Sequence, residues 1–189
     1  RYVFMIKRAV FGAIVVSGAI MYSHMSTSNP LNISKTIPEK QIECLASNVY
    51  HEARSESMAG QLAVALVTNN RKNDIRFPNT YCDVVKEGPI RESWKTRKLK
   101  DIPPSDRIFY PTKHKCQFSW YCDGKTDKVY NEDLWKTAYM VASAVAQGVV
   151  YDFIDGATHY HADYVTPNWA KRYHRIVKID HHIFYRTRR

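Results

Sequence analysis

The stretch Asn48-Val49-Tyr50-His51-Glu52-Ala53-Arg54-Ser55-Glu56 decides how this chain is read. Ile42, Leu45, Ala46, Val49 and Ala53 recur at helical spacing, which predicts an amphipathic helix with one buried face. Glu52 stands three positions after Val49 and seven after Leu45, at the edge of that face. A carboxyl held there is partly desolvated, so its pKa rises and it stays protonated near neutral pH, as a general acid must. Glu56 lies four positions further on and is expected to project from the same side. Glycosidases with paired carboxylates need them on opposite sides of the sugar. A single acid, Glu52, is therefore expected, with Glu56 orienting a substrate hydroxyl or supporting the site from behind.

Working outward, Thr36-Ile37-Pro38-Glu39 has the form of a capping box with proline in the first turn, and the helix should end near Ser55. Glu52 would then sit in the last turn, where the partial negative charge of the carbonyl ends raises its pKa further. Residues 58–71 are apolar nearly all round and predict a buried helix. Asn131, Glu132 and Asp133 open an amphipathic helix that closes before Gly148. Residues 83–115, basic and interrupted by Pro89, Pro103, Pro104 and Pro111, read as a long surface loop. Short alternating segments within 158–164, 175–179 and 183–185 predict a small sheet.

The uncharged run at residues 9–22 directly follows Lys7-Arg8 and fits an export signal better than a full span, which takes about 20 apolar residues. The expected organisation is a signal peptide or signal anchor over 1–25, a linker over 26–37 and one catalytic domain over 38–189. Four cysteines suit an oxidising compartment. Of the three pairings open to them, Cys116 with Cys122 is favoured by proximity, leaving Cys44 with Cys82. The net charge of +10 draws the protein to an anionic surface without choosing among wall polymer, lipid and nucleic acid.

Metal chemistry finds no motif. His51-Glu52 would need a histidine at position 55, which is Ser55. His181 and His182 are adjacent and cannot both face one site from a strand. Pairing of all four thiols would remove a cysteine nucleophile. Cys116 to Gly124 forms a short aromatic loop with polar tips, the mixture that carbohydrate sites use and that cores also use.

Taken together, the motifs resemble the cell-wall hydrolases typified by the spore cortex-lytic enzyme SleB. Glu52-Ala53-Arg54-Ser55-Glu56 is similar to that family's Glu-Ala-Arg-Gly-Glu signature, and Gly60-Gln61, Ala63-Val64-Ala65 and Asn70-Arg71 to its next helix. Phe77-Pro78-Asn79-Thr80, Gln117-Phe118-Ser119, Gly156-Ala157-Thr158-His159-Tyr160 and His182-Ile183-Phe184-Tyr185 follow in the family's order. The resemblance implies an α+β fold, a lysozyme-like helical core with a small antiparallel β-sheet. It also implies a lytic transglycosylase that cuts between N-acetylmuramic acid and N-acetylglucosamine, with Glu52 as acid and then base. Glu56, Gln117, Phe118, Ser119, His159 and Tyr160 would line the cleft, with Trp120 and Trp169 as further substrate-binding candidates.

Two departures bear on geometry. Ser55 replaces the signature glycine, which is expected to change how the catalytic helix ends, and Asp180-His181 stands where the family has a Gly-Asn turn, which disfavours a tight hairpin. The expected protein is an exported monomer of the periplasm or cell envelope, either tethered at the inner membrane through its apolar segment or released from it. It acts on peptidoglycan glycan strands, with no nucleic acid, no cofactor and no metal. A phage endolysin and a bacterial wall-remodelling enzyme both fit. The alternatives are an N-acetylmuramoyl-L-alanine amidase and a non-catalytic basic wall-binding module.

Overall fold

The computed structural model describes residues 36–188. The expected signal segment 1–25, and the linker up to residue 35, lie outside the described residues. Among the described residues no helix is long and apolar enough to cross a membrane.

The first helix, α1 (Glu39–Ala53), buries Leu45, Ala46, Val49 and Ala53, the stripe legible in the sequence. Its start is not a capping box. Pro38 is the N-cap residue and no side chain caps the turn, because proline fixes the entry and the helix begins only at Glu39. The next helix, α2 (Met58–Asn73), is capped by the Ser57 hydroxyl, which accepts a hydrogen bond from Gly60 N. Short helices α3 (Tyr81–Val85) and α4 (Trp94–Arg97) follow, and then α5 (Glu132–Ala146), whose Asn131 side chain accepts from Asp133 N and Leu134 N. The Tyr50 hydroxyl accepts from the backbone of Tyr130 and Asn131 at 3.1 and 3.2 Å, fixing the entry of α5 against α1.

Helices α1, α2 and α5 pack on one another around Leu45, Val49, Leu66, Val141 and Phe184, with α3 closing one side. Each such side chain contributes roughly 1.5–3 kcal/mol on burial. The expected surface loop at 83–115 is folded. It carries β1 (Ile90–Glu92) and β2 (Phe109–Pro111), paired antiparallel around α4, and an Arg107–Glu92 ion pair at 2.8 Å. Strands of three residues leave no alternation for a sequence reading to find.

The C-terminal strands β3 (His159–Ala162), β4 (His174–Ile179) and β5 (His182–Arg186) form an antiparallel sheet in the order β3-β5-β4. Contrary to expectation, Asp180-His181 does make a tight hairpin, with Ile179 paired to His182. Asp180 adopts φ 48°, a left-handed conformation that aspartate tolerates. Both expected disulfides, Cys44–Cys82 and Cys116–Cys122, are formed. The fold is α+β, a lysozyme-like helical core with small antiparallel sheets.

Candidate active site

Glu52 is the penultimate residue of α1 and faces the sheet. Its Oε2 accepts a hydrogen bond of 3.0 Å from the Tyr160 hydroxyl on β3. Burial holds the Glu52 carboxyl above its usual range, against the opposing pull of the Tyr160 hydrogen bond and the Arg71 charge. Tyr160 is itself wedged by an edge contact with His182 and a tilted contact with Phe184, ring centroids 5.1 and 5.6 Å away. With one oxygen held, the other carboxyl oxygen of Glu52 is left for a ligand.

Arg71 is the cation of this centre, and the sequence reading gave it no role. It is buried on α2, its Nε donates to the Thr158 carbonyl at 2.7 Å, and its guanidinium lies over Phe77 and Phe118 at 5.4 and 5.1 Å. Its charge acts on Glu52 and Tyr160. One signal was available: Val64, Val67 and Arg71 fall at helical spacing on the buried side of α2. An arginine there requires partners.

Asn70 sets the approach to β3. Its side chain donates to Asp152 Oδ2 and to the Ala157 carbonyl, both at 3.1 Å, which positions the loop leading into His159 and Tyr160. His159 packs against Tyr173 and Trp169, with centroids 4.4 and 5.6 Å away, and edge-on to Phe77. Burial, then the Arg71 and Arg76 charges, lowers its pKa to about 4, so its ring is neutral near pH 7. An aromatic wall thus flanks the Glu52 centre, and Phe118 is buried within it while Gln117 and Ser119 are exposed on either side.

Trp120 sits further along. Its indole donates to Asn48 Oδ1 at 3.0 Å and its ring stacks on His51 at 4.4 Å. Asn48 is buried and donates in turn to Thr68 Oγ1 at 3.0 Å, a polar tie between α1 and α2.

Glu56 is not on α1, which stops at Ala53, so the expectation of two carboxylates on one helix face fails. Its carboxylate instead accepts from the His181 backbone at 3.3 Å and lies 3.2 Å from His181 Nδ1. Next to it, Ser57 N and Oγ donate to Asp180 Oδ2 at 2.9 and 2.6 Å. The β4–β5 turn is thereby clipped to the α1–α2 corner. Ser55 is exposed and does not take a positive φ, so this corner does not need the glycine it replaces.

Comparison with known proteins agrees with this architecture. The sequence profile described as Cell Wall Hydrolase matches residues 55–185. Spore cortex-lytic enzymes from Oceanobacillus iheyensis and Bacillus cereus are 40% and 39% identical over 57 and 56 residues, 30% of this chain in each case. The matched stretch spans only 21% and 22% of those curated relatives. The solved catalytic domain of the Bacillus cereus SleB protein aligns with 25% identity and a TM-score of 0.51, covering 80% of this chain and 94% of that one. The catalytic domain of the germination-specific lytic transglycosylase SleB from Bacillus anthracis aligns with 26% identity and a TM-score of 0.54, covering 80% and 98%. The profile match extends over most of the chain, from just after α1 through α2, α5 and nearly all of the C-terminal sheet; this chain belongs to the cell wall hydrolase family.

Proposed function

We propose that this protein is an exported lytic transglycosylase that cleaves the bond between N-acetylmuramic acid and N-acetylglucosamine in peptidoglycan, with Glu52 as its one catalytic carboxyl. The observation that carries the reading is a half-buried carboxyl of raised pKa, oriented by Tyr160, with its nearest sequence partner Glu56 drawn away to His181.

In this mechanism protonated Glu52 gives its proton to the glycosidic oxygen as the C1–O bond breaks, and charge develops on the muramic ring. Glu52, now a carboxylate, takes the proton of the muramic 6-hydroxyl as that oxygen bonds to C1. The products are a new 4-hydroxyl and a 1,6-anhydro sugar, and the acid is regenerated. Tyr160 and Arg71 favour the transient carboxylate, while burial favours the resting acid. The two opposing influences suit a group that must serve as both.

His159, Trp169 and Trp120 supply aromatic faces for sugar rings, and Gln117 and Ser119 supply polar edges. The basic chain and its N-terminal apolar segment fit an enzyme acting at the cell envelope, as a phage endolysin or as a wall-remodelling enzyme. Digestion of purified peptidoglycan tests the reading. Anhydromuropeptides should appear with the native chain and fall roughly a hundred- to ten-thousandfold with Glu52→Gln. Reducing-end sugars would instead identify hydrolysis, free stem peptides an amidase, and binding without products a wall-binding module.

A further inference from the structure

A cavity of about 460 Å³ lies round the flank of α1 from Glu52 and is lined by the His51–Trp120 stack and by charges of both signs. Arg54, Lys125 and Lys128 face it, and so do Asp123 and Asp127. Among the described residues none of these five forms a salt bridge. Opposite charges that surround one space without closing on each other leave room for a ligand carrying both. His51 adds little charge, because burial lowers its pKa.

We infer that this cavity binds the peptide stem of peptidoglycan through its zwitterionic diamino-acid residue, with Asp123 and Asp127 taking the ammonium and Arg54, Lys125 and Lys128 the carboxylates. This rests on the reading of Glu52 as the acid that cuts beside the muramic residue. The stem leaves that residue through its lactyl group, and three extended residues reach roughly 10 Å. A helix with its side chains is about 10–12 Å wide, so an arc of 100° over its surface is roughly 9–10 Å. His51, next to Glu52 and lining the cavity, stands about 100° round the helix, with Arg54 beyond it. A muramic sugar held at Glu52 therefore brings the third stem residue to the edge of the cavity at His51. The flat face of Trp120 fits against the intervening peptide, and the Cys116–Cys122 disulfide holds the segment that carries it.

Calorimetric titration of the native full chain with the free stem tripeptide L-Ala-γ-D-Glu-meso-diaminopimelate tests this without any cleavage. Saturable binding is expected, weakened at least tenfold by Asp123→Asn with Asp127→Asn, and likewise by Lys125→Ala with Lys128→Ala. Acetylation of the free amine of the tripeptide should have the same effect as the aspartate pair. Unfolding midpoints equal to the native value would show that the variants are folded. Absence of saturable binding overturns the inference, as does binding that ignores both charge pairs. Because the tripeptide has no glycosidic bond, failure here leaves the role of Glu52 intact, and failure of Glu52→Gln to abolish digestion leaves the stem site intact.

Discussion

The hydroxyl of Tyr160 donates to Glu52 Oε2 at 3.0 Å, joining the last turn of the first helix to the first strand of the C-terminal sheet. The bond favours the ionised carboxyl, opposing burial. Tyr160→Phe keeps the ring and its packing on Phe184 but removes this donor. Its expected signature is an alkaline limb of kcat/KM moved to higher pH, with kcat reduced about tenfold as the carboxylate loses its partner. A pH profile of anhydro-product formation measures both.

Stability should report the same carboxyl independently of activity. Folding raises the Glu52 pKa above its ordinary value of 4.5, so stability declines as pH rises from there through the folded value and is level above it. Glutamine cannot ionise. Glu52→Gln is therefore expected to melt above the native chain near pH 7, with the gap closing below about pH 4.5. Melts followed by circular dichroism across that range check it, and an unchanged or lower midpoint near neutrality would contradict the burial of Glu52.

His159 works in the opposite direction. Its folded pKa, about 4, lies below the ordinary 6.5, so the stability it confers is present above 6.5 and is lost as pH falls through the folded value. His159→Phe retains the stacking on Tyr173 and Trp169 without a titrating ring. The variant should show a flatter decline in melting midpoint between about pH 6.5 and 4 than the native protein.

The two disulfides should differ in weight. Cys44–Cys82 closes a separation of 38 residues and Cys116–Cys122 one of 6. Chain-entropy arguments give about 4 kcal/mol for the first and about 2 kcal/mol for the second. Cys44→Ala with Cys82→Ala should consequently lower the urea midpoint more than Cys116→Ala with Cys122→Ala.

The helical core was legible because α1, α2 and α5 repeat apolar residues at a spacing that only a helix satisfies, and Asn131 marks where the last of them starts. Glu52 could be singled out from its place beside that stripe. Glu56 was misplaced because its position depends on where α1 stops, and the stop is set by contacts from residues 180 and 181, more than a hundred positions away. Arg71 received no role for a related reason. A buried arginine is defined by the rings and carbonyl around it, and Phe77, Phe118 and Thr158 come from three separate segments. The turn at Asp180 depended on a backbone angle that aspartate permits but does not announce.

The clip between Asp180 and Ser57 leaves no spare volume at Gly60, where a Cβ would collide with Asp180 Oδ2 and come within 2.8 Å of Glu56 Cβ. Even alanine at this buried position would push the sheet hairpin off the helical corner and change the distance from Tyr160 to Glu52. Enzymes of this build carry a blind spot for screening: a one-methyl change that touches no sugar, removes no charge and leaves every cleft residue in place could still silence the reaction by altering how two halves of one domain are spaced.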